Sequence, residues 1–159
     1  MKRGIFLLMH SAFGVKYMIY KINKENSTRY SLTQLLSIFV LQINSPRRLP
    51  LKGCGKVVQA ACGGTQVAIL NDKGEVFVWG YGILGKGPQL SESSTPEMIP
   101  PALFGRSEFS PSVAVTTIRC GLSHFAAVTD RGELFVWGKN VRGCLGIGSR
   151  DDQFFPWRV

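Results

Sequence analysis

Short apolar runs alternate with polar turns over the second two-thirds of the chain. The runs Val67–Leu70 and Val76–Trp79 flank the turn Asp72–Gly74, and a further apolar stretch, Val57–Cys62, precedes them. β-Branched and aromatic residues favour strands, and glycine supplies the positive φ that a tight hairpin turn requires. The pattern therefore predicts successive antiparallel strands, and it lacks the periodicity of an amphipathic helix.

The same pattern occurs a second time further along the chain. The segment Cys62–Gly80 matches Cys120–Gly138, with shared Cys-Gly, Asp and Gly-x-x-Phe-Val-Trp-Gly positions. In the second copy, Val113–Cys120, Phe125–Val128 and Leu134–Trp137 are the predicted strands. A long repeat made of antiparallel strands is typical of β-propeller blades. We expect an all-β fold with two blades.

Charge and glycine content divide the chain near residue 52. The net charge is +9, and residues 1–50 contribute most of it, with Glu25 as their single acid. Glycine becomes frequent after Gly53, and Pro46 and Pro50 mark the junction, since proline interrupts regular structure. We predict a basic N-terminal segment at 1–52, a first repeat with its inter-blade loop at 53–112, and a second repeat, incomplete at its end, at 113–159.

The structure of residues 1–52 is left open by their sequence. Their composition, rich in basic and hydroxylated residues, fits a targeting segment, and it equally fits a segment unrelated to the blades. The uncharged stretch 30–46 is short and polar for a membrane span, which favours a buried or interfacial segment. The excess of positive charge also suggests contact with RNA or with an anionic membrane surface.

A glycine-rich loop after the first Trp-Gly pair has the spacing of a phosphate-binding loop. The segment Gly80–Gly87 includes Lys86, but Gly87 stands where a P-loop has its Mg²⁺-binding hydroxyl. No helix start follows, and the equivalent loop after Trp137 has Ile147 at the position of Lys86. We interpret the segment as a turn and predict no cofactor.

Candidate catalytic and metal-binding residues are few. Cys62 and Cys120 occupy equivalent strand ends, where a small apolar side chain packs well, and the histidines are His10 and His124. We predict no metal site and no catalytic residue, and we expect His124 to form a structural hydrogen bond to a neighbouring blade. The expectation is a protein that is not an enzyme and has no small-molecule substrate.

Two further features concern packing and partner binding. Trp79 and Trp137 are predicted to lie in the blade cores, with base stacking on a surface as the alternative. The segment Pro88–Ser112 is the least repetitive and is predicted to be a long loop or insertion, either a connector or a partner-binding loop.

The run from Cys120 through Gly138, followed by Asn140–Gly148 and then Pro156 and Val159, resembles the repeat of the regulator of chromosome condensation family. The resemblance implies blades of a seven-bladed β-propeller and a protein-interaction scaffold connected to guanine-nucleotide exchange on a small or dynamin-like GTPase. The stretch 53–159 resembles the mitochondrial branch of this family in particular. That branch implies a mitochondrial location, a role in ribosome assembly and mitochondrial ribosomal RNA as a partner.

Two blades do not close a ring, because propellers typically need about four to eight. The expectation is therefore an incomplete ring, in a truncated or alternative form of a longer protein. One alternative is that such a product has no independent activity. The other is RNA or anionic-surface binding through the basic N-terminal segment.

Overall fold

The computed structural model describes residues 6–10, 16–20, 51 and 53–159. The chain divides into two units, 1–53 and 54–159. In the first unit, strands β1 (Phe6–His10) and β2 (Lys16–Tyr20) pair in antiparallel fashion. The uncharged stretch 30–46 lies outside the described residues, as does most of the predicted segment 1–52.

The second unit begins with a four-stranded antiparallel sheet in which each strand pairs with its neighbour in sequence. Its strands are β3 (Val57–Cys62), β4 (Gln66–Asn71), β5 (Val76–Tyr81) and β6 (Glu92–Met98). The first three occupy the runs that the apolar pattern predicts, which confirms those strands.

A second four-stranded sheet repeats this order. Its strands are β7 (Val115–Cys120), β8 (His124–Thr129), β9 (Leu134–Gly138) and β10 (Gln153–Arg158). They also pair successively and antiparallel. The prediction of an all-β fold built from two repeated sheets is therefore confirmed.

Glycine and asparagine close the turn between β4 and β5. Gly74 has a φ of +72°, which an L side chain adopts only with strain. The Asn71 side-chain oxygen accepts hydrogen bonds from the backbone N–H groups of Lys73 and Glu75 at 3.0 and 2.9 Å. These bonds satisfy the turn backbone and fix the register in which β4 meets β5.

The core lies between the two sheets. Phe125 and Trp137 stack with ring centroids 5.3 Å apart, and Phe104 meets the Trp137 ring edge-on at 5.8 Å. Trp137 is completely buried and Trp79 is 6% exposed, so both lie in the protein interior as predicted. Val76, Val78 and Ile118 are among the aliphatic residues that complete this core.

The segment Pro88–Ser112 is more regular than the sequence suggested. It includes strand β6 and a 3₁₀ turn, Pro101–Phe104, so the prediction of a long loop over the whole segment is wrong. The error has a physical origin, because β6 is an edge strand. Such a strand needs no apolar alternation, and it tolerates Pro96, since a missing N–H on its free side breaks no ladder bond. Among the described residues, no helix has the length and apolar content needed to cross a membrane.

Candidate protein-interaction face

Four loops meet at one end of the two sheets. They are residues 63–65, 81–91, 121–123 and 139–152, and we call this end the loop face. Backbone hydrogen bonds tie the loops together: Gly64 N–H donates to the Leu122 carbonyl at 2.7 Å, and Tyr81 N–H donates to Thr65 at 2.9 Å. The loop face is therefore a continuous surface contributed by both sheets.

The longest of these loops is organised by one buried side chain, Asn140. Its Nδ2 donates to the carbonyls of Ser149 at 2.9 Å and Asp151 at 3.2 Å, and its Oδ1 accepts from Leu145 N–H at 2.9 Å. Three points of the loop are thus held to one amide. The equivalent loop of the first repeat lacks this asparagine and is shorter.

The loop also contains a backbone conformation that is uncommon for a residue with a side chain. Arg142 has a φ of +59° and lies next to Val141, whose side chain is 64% exposed. A non-glycine residue in the left-handed region carries backbone strain, and the conformation persists only where the surrounding structure enforces it. The loop therefore presents an apolar and a cationic side chain together at the protein surface.

The glycine-rich segment of the first repeat is a turn, as predicted. Lys86 Nζ lies 2.7 Å from Glu97 Oε2 on strand β6, so its charge is already paired. Gly87 N–H donates to the Phe154 carbonyl of the second sheet at 2.9 Å. Two groups that a phosphate loop would direct at its ligand are thus engaged within the protein.

A groove of about 160 Å³ opens on the loop face. Tyr81, Pro88 and Leu90 of the first repeat and Phe154 of the second supply aromatic and aliphatic walls, and Lys139 is a lining cation. Behind the groove, buried Gln66 donates from Nε2 to the Ile83 carbonyl at 3.2 Å, which holds the backbone of another lining residue.

Lys139 and Tyr81 are both free to contact a partner. Among the described residues Lys139 makes no ion pair, and the Tyr81 side chain is 61% exposed. A groove with apolar walls and an unpaired cation suits an apolar side chain that is accompanied by an acidic group. It is therefore a candidate binding site on the described surface.

His124 does not bond across the blades, so that expectation is wrong. Its Nδ1 lies 3.6 Å from the Sγ of Cys144, which belongs to the same repeat. The imidazole packs directly over Gly121, where a Cβ atom would overlap the ring. The tight turn between β7 and β8 thus keeps the histidine within its own sheet. His10 lies in β1, and its side chain is outside the described residues.

Cys62 and Cys120 are packing residues at equivalent strand ends. Burial raises the pKa of the Cys62 thiol to about 11. Burial, with a smaller contribution from Cys62, raises the pKa of Cys120 to about 12. Both thiols are therefore neutral at physiological pH, which makes them poor nucleophiles. In the described part of the chain, no three His, Cys, Asp or Glu side chains are grouped to hold a metal ion.

Models of the regulator of chromosome condensation (RCC1) repeat match residues 115–144 and 131–159. The chain carries RCC1 repeats. These matches cover the strands and the Asn140 loop of the second sheet, so that sheet is an RCC1 blade. The first sheet repeats its strand order and its Trp-Gly signature.

The RCC1 repeats of this chain are similar to those of curated mammalian proteins. The chain is 70% identical over 118 residues to the RCC1-like G exchanging factor-like proteins of Mus musculus and Homo sapiens. The match covers 74% of this chain and 26% of the mouse protein. It is 35% identical over 122 residues to the X-linked retinitis pigmentosa GTPase regulator of Canis lupus familiaris. The chain spans about a quarter of the length of the mouse and human relatives.

Solved structures agree with this assignment. The crystal structure of human WBSCR16 matches with a TM-score of 0.76 and 62% identity, over 89% of this chain and 34% of that one. The structure of Prp20p from Saccharomyces cerevisiae matches with a TM-score of 0.51 and 24% identity, over 65% of this chain and 25% of that one. The described sheets are two blades of an RCC1-type β-propeller and form an incomplete ring.

The groove was not predicted from the sequence. Tyr81, Lys139 and Phe154 are distant in sequence, and the pairing of loops across the two blades brings them together. One signal was present, because Tyr81 and Lys139 each follow the Trp-Gly pair of their repeat. Equivalent positions in adjacent blades lie side by side, so these two residues were candidates for a shared surface.

Proposed function

We propose that this chain is a protein-binding module of an RCC1-type propeller, and that its partner is a GTPase whose guanine-nucleotide exchange it promotes. The observation that carries the proposal is the 70% identity to proteins named RCC1-like G exchanging factor-like. Under this proposal the chain acts by binding and performs no covalent chemistry. Nucleotide exchange requires only that a partner's nucleotide-free form be bound more tightly than its loaded form.

The loop face supports this proposal. Its exposed apolar side chains, Tyr81, Leu122 and Val141, stand on loops that are tied together by backbone bonds. Rigid aromatic and aliphatic groups lose little conformational entropy on binding, and aromatic residues are enriched in interface hot spots. Cations at Lys139 and Arg142 suit an acidic partner surface.

The test is a nucleotide-release assay. Purified small Ras-type and dynamin-like GTPases are loaded with mant-GDP, and release is followed with and without the full chain. We expect faster release from one class, and slower stimulated release with Val141→Asp on the loop face. Arg131→Ala, in the exposed turn at the opposite end of the blade, is the matched control and should behave as the parent chain does. Unchanged release from every GTPase, together with no binding to nucleotide-free forms, would refute the proposal.

A second candidate function rests on the N-terminal charge. Residues 1–50 contain eight basic residues and one acidic residue: Lys2, Arg3, Lys16, Lys21, Lys24, Arg29, Arg47, Arg48 and Glu25. Such a segment favours binding to RNA, mitochondrial ribosomal RNA by resemblance, or to an anionic membrane surface. Each neutralised phosphate releases counterions, so RNA affinity should fall steeply with salt.

This second function is separable from the first. Replacing the eight basic residues with Gln should abolish binding to an rRNA fragment and to anionic vesicles while GTPase stimulation persists. RNA binding that survives the replacement would place the contact elsewhere. We also propose a mitochondrial location and a link to ribosome assembly there, which fractionation of cells that express the tagged chain would test.

A further inference from the structure

The connection between the two blades ends in a small turn that projects one aromatic side chain. Phe109 is 97% exposed, the highest value among the large hydrophobic residues of the described chain. The turn is closed by two backbone hydrogen bonds, from Ser107 to Ser110 at 3.3 Å and from Ser110 to Ser107 at 3.0 Å. We call residues 107–110 the tip.

The tip is held firmly on the blades. Arg106, immediately before it, donates from Nε to the Val113 carbonyl at 2.8 Å and from a terminal nitrogen to the Lys73 carbonyl at 3.4 Å. Gly105, with a φ of +86°, ends the preceding 3₁₀ turn. Phe109 is therefore presented on an ordered backbone, and its binding costs mainly the rotamer freedom of its own side chain.

The groove on the loop face has the size and chemistry to receive this side chain. Its volume of about 160 Å³ is close to that of an engineered cavity of about 150 Å³ that binds benzene. Its walls include Tyr81, Leu90 and Phe154, which suit a phenyl ring. Glu108, exposed beside Phe109 and without an ion pair in the described residues, complements the unpaired Lys139.

The tip and the groove lie at opposite ends of the same blades. Arg106 ties the tip to the β4–β5 turn, whereas Tyr81 lies where β5 reaches the loop face. A six-residue strand such as β5 spans roughly 20 Å, so Phe109 does not reach the groove of its own chain. The complementary surface must belong to another molecule.

We propose that the tip of one copy of this chain binds the groove of a second copy, with the Phe109 ring in the groove and Glu108 paired with Lys139. The contact is heterologous, since two different surfaces meet, and repetition of it adds copies head to tail. A copy seated in the groove covers part of the loop face and competes with any other partner there. The inference does not depend on the proposed function.

The experiment is sedimentation of the full chain over a wide range of concentrations, with no GTPase present. We expect a mass that rises with concentration, and association weakened about tenfold or more by Phe109→Ser or by Lys139→Glu. Val58→Ser, which removes an exposed apolar side chain of strand β3 outside the groove and the tip, is the control and should leave association unchanged. Circular dichroism melts check that each surface variant remains folded.

Complementation gives the sharper test. The Phe109→Ser chain keeps its groove and the Lys139→Glu chain keeps its tip, so a mixture of the two should form a dimer and nothing larger. The double variant Glu108→Lys with Lys139→Glu should recover association, because the charge pair is restored in reverse. A cyclic peptide of residues 105–112 should compete with self-association, and its Phe109→Ala form should not.

Two results would overturn the proposal. One is a chain that stays monomeric at every concentration, with no binding of the cyclic peptide. The other is self-association that Phe109→Ser and Lys139→Glu leave intact, which would assign it to a different surface.

Discussion

The side chain of Gln59 pairs with both backbone groups of Ile118 in the adjacent blade. Its Nε2 donates to the Ile118 carbonyl at 2.8 Å, and its Oε1 accepts from the Ile118 N–H at 3.0 Å. The two four-stranded sheets are separate, with no strand of one paired to a strand of the other. At their junction the Gln59 amide bonds to Ile118 as the backbone of a neighbouring strand would. Strand β7 is at the edge of its sheet, so the Gln59 side chain supplies hydrogen bonds to the Ile118 backbone where no further strand is present.

Removing this amide should weaken the junction between the blades. Gln59→Ala leaves the partly buried Ile118 N–H without its partner, while the Ile118 carbonyl keeps only the bond from Arg119 at 2.9 Å. We expect a loss of about 1–3 kcal/mol in the free energy of unfolding. Urea denaturation measures it. The control is Thr117→Ala, at the equivalent position of the second repeat, where no side-chain bond crosses to another sheet among the described residues. Equal losses for the two variants would show that the inter-blade bonds contribute nothing.

The Asn140 loop should depend on its single amide. Asn140→Ala removes two donors and one acceptor from a buried site, and we expect about 2–3 kcal/mol of destabilisation together with faster hydrogen exchange over residues 141–149. Gln153→Ala is a matched control, because its Nε2 reaches the same Asp151 carbonyl from an exposed position. It should cost about 0.5 kcal/mol or less. Unchanged exchange in the Asn140 variant would mean that the glycine turns alone order the loop.

Thiol reactivity should separate the cysteines. Exposed Cys144 should react with a disulfide reagent at pH 8 much faster than Cys62 and Cys120, whose pKa values burial raises to about 11 and about 12. Their rates should rise about tenfold per pH unit as the thiolate fraction grows. Cys144→Ser should remove only the fast phase. A single common rate at pH 8 would contradict these assignments.

The same pKa shifts predict a loss of stability in alkali. A thiol whose pKa is raised by folding ionises first in the unfolded chain, whose thiols have a pKa near 9.0. The stabilising contribution is therefore complete below pH 9 and declines as the pH rises towards 11 and 12. Urea midpoints measured across this range should fall, and more gradually in a Cys62→Ala variant.

The repeat made the centres of both blades predictable. Most side chains of Val67–Leu70 and Val76–Trp79 are buried in the structure. Their sequences are apolar for that reason, and the apolar runs predict the strands. Strand β6 was missed because an edge strand is half solvated, and its Ser, Thr and Glu residues resemble those of a loop. Its pairing with β5 decides its conformation, and local sequence does not encode that pairing.

The candidate surfaces were less predictable for a related reason. The exposure of Phe109 depends on how the tip projects from the connection, and the groove depends on loops brought together from both repeats. The segment Pro88–Ser112 was recognised as a candidate partner-binding region, but its polar sequence does not distinguish the tip from strand β6. Lys86 shows the opposite situation. The sequence around it resembles a phosphate-binding loop, but in the structure its charge is paired with Glu97.

The blades pair their strands in sequence order, whereas Gln59 and Ile118 are 59 residues apart. Contacts between chain neighbours form quickly, and closing a longer loop costs additional chain entropy. We therefore expect the hairpins of each blade to form first and the junction between the blades to close last. In that order of events the apolar face of each blade is open to solvent until the junction closes, and we expect the newly made chain to be most prone to aggregation during this interval.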